Sequence, residues 1–204
     1  MFYEPGKTPH GLPHDPFKAC VVPRPIGWIT TVDAESVVNL APFSYFNAIS
    51  AAVPMVMFTA GSRPEWGLKD SAANAEATGE FVANIATWDL REQMNASSAT
   101  VTPDVDEMAM VCLDPEPSQL VKPPRVKASP IHLECTYFQT VPLPSGPIPA
   151  EQNVMILGKV IGIHIRDDVL TDGLVDMSKV QPIARLGYMD YTIVEKVFTI
   201  MRPD

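Results

Sequence analysis

The 204-residue chain has no cysteine framework, no glycine-rich phosphate motif and no long apolar run. Its three cysteines, Cys20, Cys112 and Cys135, are odd in number and far apart, with no CxxC pair. That excludes a disulfide-stapled scaffold and a cysteine zinc site, and is the usage of reduced, mostly buried thiols in a cytoplasmic protein. The four histidines do not gather either. His10 and His14 are separated by Gly11 and Pro13, so no helix sets them on one face, and His132 and His164 fall in different strand-like runs. No metal site is expected. A GxSxG elbow is missing, as are GxGxxG and GxxxxGK[ST], so a dinucleotide would not be held by a Rossmann unit. Asp167-Asp168 and the acids around Asp104 to Glu107 read as solvated loop faces, not an acid/base pair.

Basic charge is scarce as well. Fifteen Lys and Arg against 24 Asp and Glu give a net charge of −9. A nucleic-acid or anionic-membrane partner needs a basic field, so neither is expected. A small anion needs only a local cation or two. No apolar stretch approaches a membrane span. The N-terminus, MFYEPGKTPHGLPHDPF, lacks the basic-then-apolar plan of a signal peptide, and a cytoplasmic location is expected.

Proline, by contrast, is abundant, at 21, and spread along the chain. Prolines spaced this way punctuate short elements and favour strands over long helices. With 46% apolar and 19% charged residues the chain reads as globular. Residues 1–18 form an irregular Pro/Gly arm, and residues 19–204 one domain. Strands are expected at 19–22, 26–32, 37–41, 53–59, 81–86, 131–141, 153–165 and 188–197, with a short edge strand at 121–127. Gly158 and Gly162 suggest a bulge or tight bend. Helices are expected at 69–77, capped by Asp70 or Ser71 and ended by Thr78-Gly79, and at 87–97. Residues 60–66, 142–150 and 180–185 read as loops and 167–176 as turns. The fold class is mainly β: a closed or partly closed barrel with peripheral helices.

Two segments carry chemistry. The first, PRPIGWITTVDAESVVNLAPFSYFNAIS (residues 23–50), is a hairpin with too many polar groups on its tail. Trp28 and the Pro42-Phe43 step could flank a planar ring, with Thr30, Thr31 and Ser44 serving its carbonyls and nitrogens; the alternative is that the aromatics are core. Core packing does not explain why Asn39, Ser44, Asn47 and Ser50 are interleaved among them, because a buried polar group without a partner is costly. The second segment brings Ser62, Arg63, Lys69, Asp70 and Ser71 to a helix start, where free N–H groups and the dipole favour an anion. A capped surface helix with two solvated cations is the competing reading.

These residues resemble the flavin reductase-like family of FMN-binding split barrels, which includes flavoredoxins and the reductase partners of flavin-dependent oxygenases. The resemblance rests on Arg24-Pro25-Ile26-Gly27-Trp28-Ile29-Thr30-Thr31, Asn39-Leu40-Ala41-Pro42-Phe43-Ser44-Tyr45-Phe46, Arg63, Lys69-Asp70-Ser71 and Thr78 to Asn84, with weaker matches at 158–165 and 182–188. It implies a six-stranded antiparallel Greek-key split barrel, a homodimer, and FMN near the subunit interface. The ring would lie beside Ala41, Pro42, Phe43 and Ser44, and the phosphate near Arg63 and Lys69-Asp70-Ser71. Relatives often carry two glycines around Arg185 to Tyr188 where this chain has one, so neither residue is assigned a role. The implied activity is hydride transfer from NAD(P)H to flavin, with electrons passed to free flavin, an iron complex or a partner such as an oxygenase. His132 or His164 is a candidate nicotinamide contact, a structural role being the stronger reading. The competing readings are a flavin electron-transfer protein without a nicotinamide site, and a barrel for a non-flavin ligand.

Overall fold

In the computed structural model, residues 1–63, 65, 67–144 and 152–203 are described. The central sheet is built from β1 (Gly27–Val32), β2 (Val38–Phe43), β3 (Phe46–Ser50), β4 (Met55–Arg63), β5 (Glu80–Ile85), β6 (Ile131–Leu143) and β7 (Asn153–Ile165). Their hydrogen-bonded order is β2-β1-β5-β6-β7-β4-β3, with the Gly67–Leu68 pair added to β4. Every pairing is antiparallel. The two ends of this order, β2 and β3, are joined through Ser44 and Tyr45 alone. So short a connection can be made only if the sheet curls until its edges meet. The barrel is therefore closed by the chain and left split along the β2/β3 seam. Seven strands follow this path, not the six expected, and the split-barrel class stands.

The barrel interior is filled by Ile29, Phe43, Phe46, Phe58, Phe81 and Ile156, with Ala72 and Ala75 of helix α2 (Asp70–Thr78) among them. Burying each large side chain contributes about 1.5–3 kcal/mol. Glycine makes room for the rings: a Cβ at Gly27 would lie 2.4 Å from Phe46 Cδ2, and one at Gly158 2.3 Å from Phe81 Cζ. A second apolar cluster, with Trp28, Leu40, Met94, Met108 and Ile183, packs on the outer face of β1 and β2. Strand β1 is thus buried on both sides.

Several sequence expectations are corrected. Residues 17–20 form a helical turn, α1 (Phe17–Cys20), where a strand was expected at 19–22. Arg24 stabilises that turn by donating to the carbonyls of Lys18 and Val21. Strand β4 runs on to Arg63, into the expected loop 60–66, because β7 pairs with it as far as Gly61. Helix α2 is capped by neither Asp70 nor Ser71: Lys69 is its N-cap and makes no side-chain cap bond, while Gly79 ends it at φ 76° as expected. The expected helix 87–97 is a 3-10 turn, Trp88–Leu90, followed by α3 (Arg91–Ala96). Of the edge strand 121–127 only Arg125–Val126 pairs. Residues 177–185 are structured, as α5 (Met177–Val180) and β8 (Ile183–Arg185), and β9 is shortened to Tyr191–Ile193. One more short helix, α4 (Glu107–Met110), precedes α5. Most of the loop expected at 142–150 lies outside the described residues.

Candidate functional site

The β2/β3 seam is where the site forms. Pro42 sits in β2, at the edge of the sheet, where its missing N–H costs no ladder bond. The chain then turns through Ser44 and Tyr45. Beside it, β4 ends at Arg63 and leads into α2. Asn39, Ala41, Pro42, Arg63, Lys69, Asp70 and Ser71 consequently line one small cavity of about 90 Å3, together with Ser97, Ser98, Thr100 and Glu107. The tail of the hairpin and the start of the helix converge, as the sequence required of a single ligand site.

The cavity is polar and ordered from beneath. Asn39 donates from Nδ2 to both carboxylate oxygens of Glu107 at 3.0 Å and accepts at Oδ1 from the Ser71 hydroxyl at 2.7 Å. Thr31 also donates to that oxygen, and accepts from Asn74 Nδ2. Glu107 takes the Leu40 N–H as well. Burial pushes the Glu107 carboxyl above the usual carboxylate range and the nearby Asp70 charge adds to this, although the Leu40 and Asn39 donors oppose it. Arg63 reaches Asp70 at 3.3 Å and the Val101 carbonyl at 2.9 Å. Lys69 is held below the usual lysine range, first by desolvation of its ammonium and then by repulsion from Arg63. Two cations crowded in this way are relieved by an anion placed between them. The first-turn N–H groups of α2 have no side-chain cap, and add donors of the same sense.

A wider cleft of about 360 Å3 adjoins the small cavity, sharing Pro42 and Ser98 with it. Ser44, Tyr45, Tyr188 and Tyr191 give it aromatic and hydroxyl walls; Lys18, Arg24 and Arg185 give it positive charge. Arg185 lies over the Tyr191 ring at 4.4 Å and donates to the Tyr188 carbonyl. A small cationic end joined to a broad aromatic end is the shape of a phosphorylated planar ligand.

Residues 19–184 match the model of the flavin reductase like domain. The chain belongs to the flavin reductase-like family. An uncharacterized protein of Aquifex aeolicus is 36% identical over 168 residues, 82% of each chain. Among solved structures, nitrilotriacetate monooxygenase component B from Bacillus cereus superposes with a TM-score of 0.88 over 98% of both chains at 26% identity. Flavoredoxin of Desulfovibrio vulgaris (Miyazaki F) gives 0.74 over 88% of this chain and 91% of that one, at 18% identity. This is a flavin-related oxidoreductase fold, mainly β and split-barrel in class.

Within that family frame, not every sequence candidate reaches the cavities. Trp28 is fully buried in the outer cluster, its indole N–H bonded to Ser97 Oγ at 2.9 Å. Thr30 is buried with its hydroxyl accepting from Asn84. Phe43 packs in the barrel, 5.0 Å from the Phe58 ring. None of the three lines either cavity; Trp28 and Phe43 lie buried in the two apolar clusters. Thr31 supports the site through Asn39. Ser62 faces the β4/β7 edge, where its hydroxyl accepts from the Gln152 N–H. Asn47 and Ser50 are exposed to water. His132 and His164 are cross-strand partners three and four strand positions from Pro42, roughly 14 and 19 Å around the sheet. His132 is tied to the Val126 carbonyl and His164 to Glu134, partners that fit the structural reading, and neither histidine lines the two cavities. Among the described residues no group of three or more His, Cys, Asp or Glu could hold a metal ion, and no helix is long and apolar enough to cross a membrane. Sequence reasoning read Glu107 as part of a solvated loop face, whereas it is buried at the start of α4; it missed Ser97, Ser98 and Thr100, and left Arg185 and Tyr188 unassigned. No local motif marks Glu107; its place depends on α4 packing against β2.

Proposed function

We propose that the protein binds FMN, with the phosphate in the small cavity and the ring in the wide cleft, and uses it to carry electrons from NAD(P)H to an acceptor. The observation that carries this reading is the junction of the two cavities at Pro42 and Ser98. Arg63, Lys69, Ser71 and the first-turn N–H groups of α2 would hold the phosphate through charge-assisted bonds. Ala41, Pro42 and Ser44 would border the ring, with Tyr188 and Tyr191 across from them. Lys18, Arg24 and Arg185 supply the positive field that favours electron-rich flavin. FMN, when bound, supplies the hydride-accepting chemistry, so the chain needs no acid/base pair of its own. The residues position the cofactor, shield it and set its electrostatics.

The acceptor is free flavin, an iron complex or a partner protein. The likeness to a monooxygenase component supports an oxygenase as that partner. A homodimer belongs to the same reading. Phe138, Ile161, Ile163 and Ile165 on the β6/β7 hairpin are 48%, 43%, 57% and 40% exposed, an apolar stripe that a second copy would cover.

The test is the visible spectrum of FMN-loaded protein under anaerobic conditions on adding NADH or NADPH. Bleaching of the flavin band is expected. A yellow protein that bleaches with dithionite but with neither nicotinamide is an electron-transfer protein without a donor site. A protein that stays colourless after purification with FMN overturns the flavin reading.

A further inference from the structure

We propose that the trench beside α3 and β9 holds the adenosine half of a reduced nicotinamide dinucleotide, and that its two carboxylates select NADH over NADPH. This rests on the FMN reading above, which fixes where the nicotinamide must lie. A nicotinamide delivering hydride has to stack in the wide cleft, and the small cavity at one end is committed to the phosphate. The remainder of the dinucleotide must leave through a space that adjoins the cleft. The trench is that space: a cavity of about 570 Å3 that shares Met94 and Tyr191 with the cleft.

Its lining suits a nucleoside. Trp88 is 44% exposed, a large aromatic face left open at the surface. The Arg91 guanidinium lies 3.9 Å from the Trp88 ring centroid, and its Nη1 donates to the Trp88 carbonyl at 2.8 Å. The pair is a fixed aromatic and guanidinium platform, and purine bases stack on such platforms. Glu92 and Glu195 line the same trench, against the single cation Arg91. Glu92 also draws on that cation, at 3.5 Å from Arg91 Nε. Carboxylates accept hydrogen bonds from a ribose diol, whereas the extra phosphate of NADPH would bring about two further negative charges into a trench that is already net negative. The geometry thus supplies the ribose-reading acids that no sequence motif reveals.

Two measurements test it. In the FMN-free protein, isothermal titration calorimetry with AMP and with adenosine 2′,5′-bisphosphate reads the subsite alone. AMP is expected to bind about tenfold or more tightly than the bisphosphate. Trp88→Ala should abolish AMP binding, and Glu92→Gln with Glu195→Gln should close the gap, while FMN affinity stays unchanged in both. In the FMN-loaded protein, NADH should exceed both NADPH and reduced nicotinamide mononucleotide about tenfold in kcat/KM. Trp88→Ala should raise the KM for NADH without changing that for the mononucleotide. Equal rates with NADH and the mononucleotide, or equal binding of AMP and the bisphosphate, overturn the inference and leave the FMN reading intact. Bound FMN that none of the three donors reduces overturns the donor reading and this inference together.

Discussion

Glu107 and His132 are buried polar side chains with opposite consequences. Glu107 is 2% exposed and collects the Asn39 amide and the Leu40 N–H, so it holds up the floor of the small cavity. Glu107→Ala would strand those donors. A loss of about 1–3 kcal/mol is expected from the urea midpoint, along with weaker FMN binding as Asn39 and Ser71 lose their alignment. His132 is 4% exposed, and its pKa is lowered to about 4, chiefly by burial. A depressed folded-state value means that the unfolded chain takes up the proton first as the pH falls. Stability is therefore full above about pH 6.5 and is lost as the pH drops through 4, by on the order of 3 kcal/mol. Denaturant midpoints at pH 7 and pH 4.5 should show this drop, and His132→Gln should lessen it. At this scale the sequence reveals the cations and hydroxyls, because Arg63, Lys69 and Ser71 lie close together along the chain. It conceals Glu107, whose partner Asn39 is 68 residues away.

Among the elements, the β6/β7 hairpin shows how glycine and ring packing set the curvature. Its register slips between Glu134 and Cys135 and between Tyr137 and Gln139, opposite Gly162 and Gly158. Gly158 is the tighter position, since its missing side chain leaves space for Phe81. Gly158→Ala should cost about 1–3 kcal/mol, a fall in Tm of several degrees by calorimetry, and Gly158→Ala with Phe81→Leu should recover part of it. The bulges are legible from the two glycines, and β7 is legible residue for residue, because thirteen residues of β-rich sequence have no helical rival. Strand β8 is not legible. It exists by pairing with Arg24–Pro25 and β9, partners that local propensity cannot see. The continuation of β4 to Arg63 escapes for the same reason, and it is this continuation that delivers Arg63 to the cavity.

For the whole molecule, closure of the barrel through Ser44 and Tyr45 is what turns a polar hairpin tail into half of a ligand site. Closure brings β2 beside the end of β4, and α2 then seals the cavity from the other side. The exposed stripe on β7 belongs to this scale too. Sedimentation is expected to show a dimer, and Ile163→Glu to shift it to a monomer; a wild-type monomer would contradict that reading. FMN binding as proposed requires the small cavity to be a phosphate site continuous with a ring cleft. Its most direct test is to titrate the protein with FMN and with riboflavin, which differ only in the phosphate, for the wild type and for Arg63→Ala with Lys69→Ala. The wild type should bind FMN about tenfold or more tightly than riboflavin, and the double variant should bind the two alike. Equal affinity of the wild type for FMN and riboflavin would contradict the account.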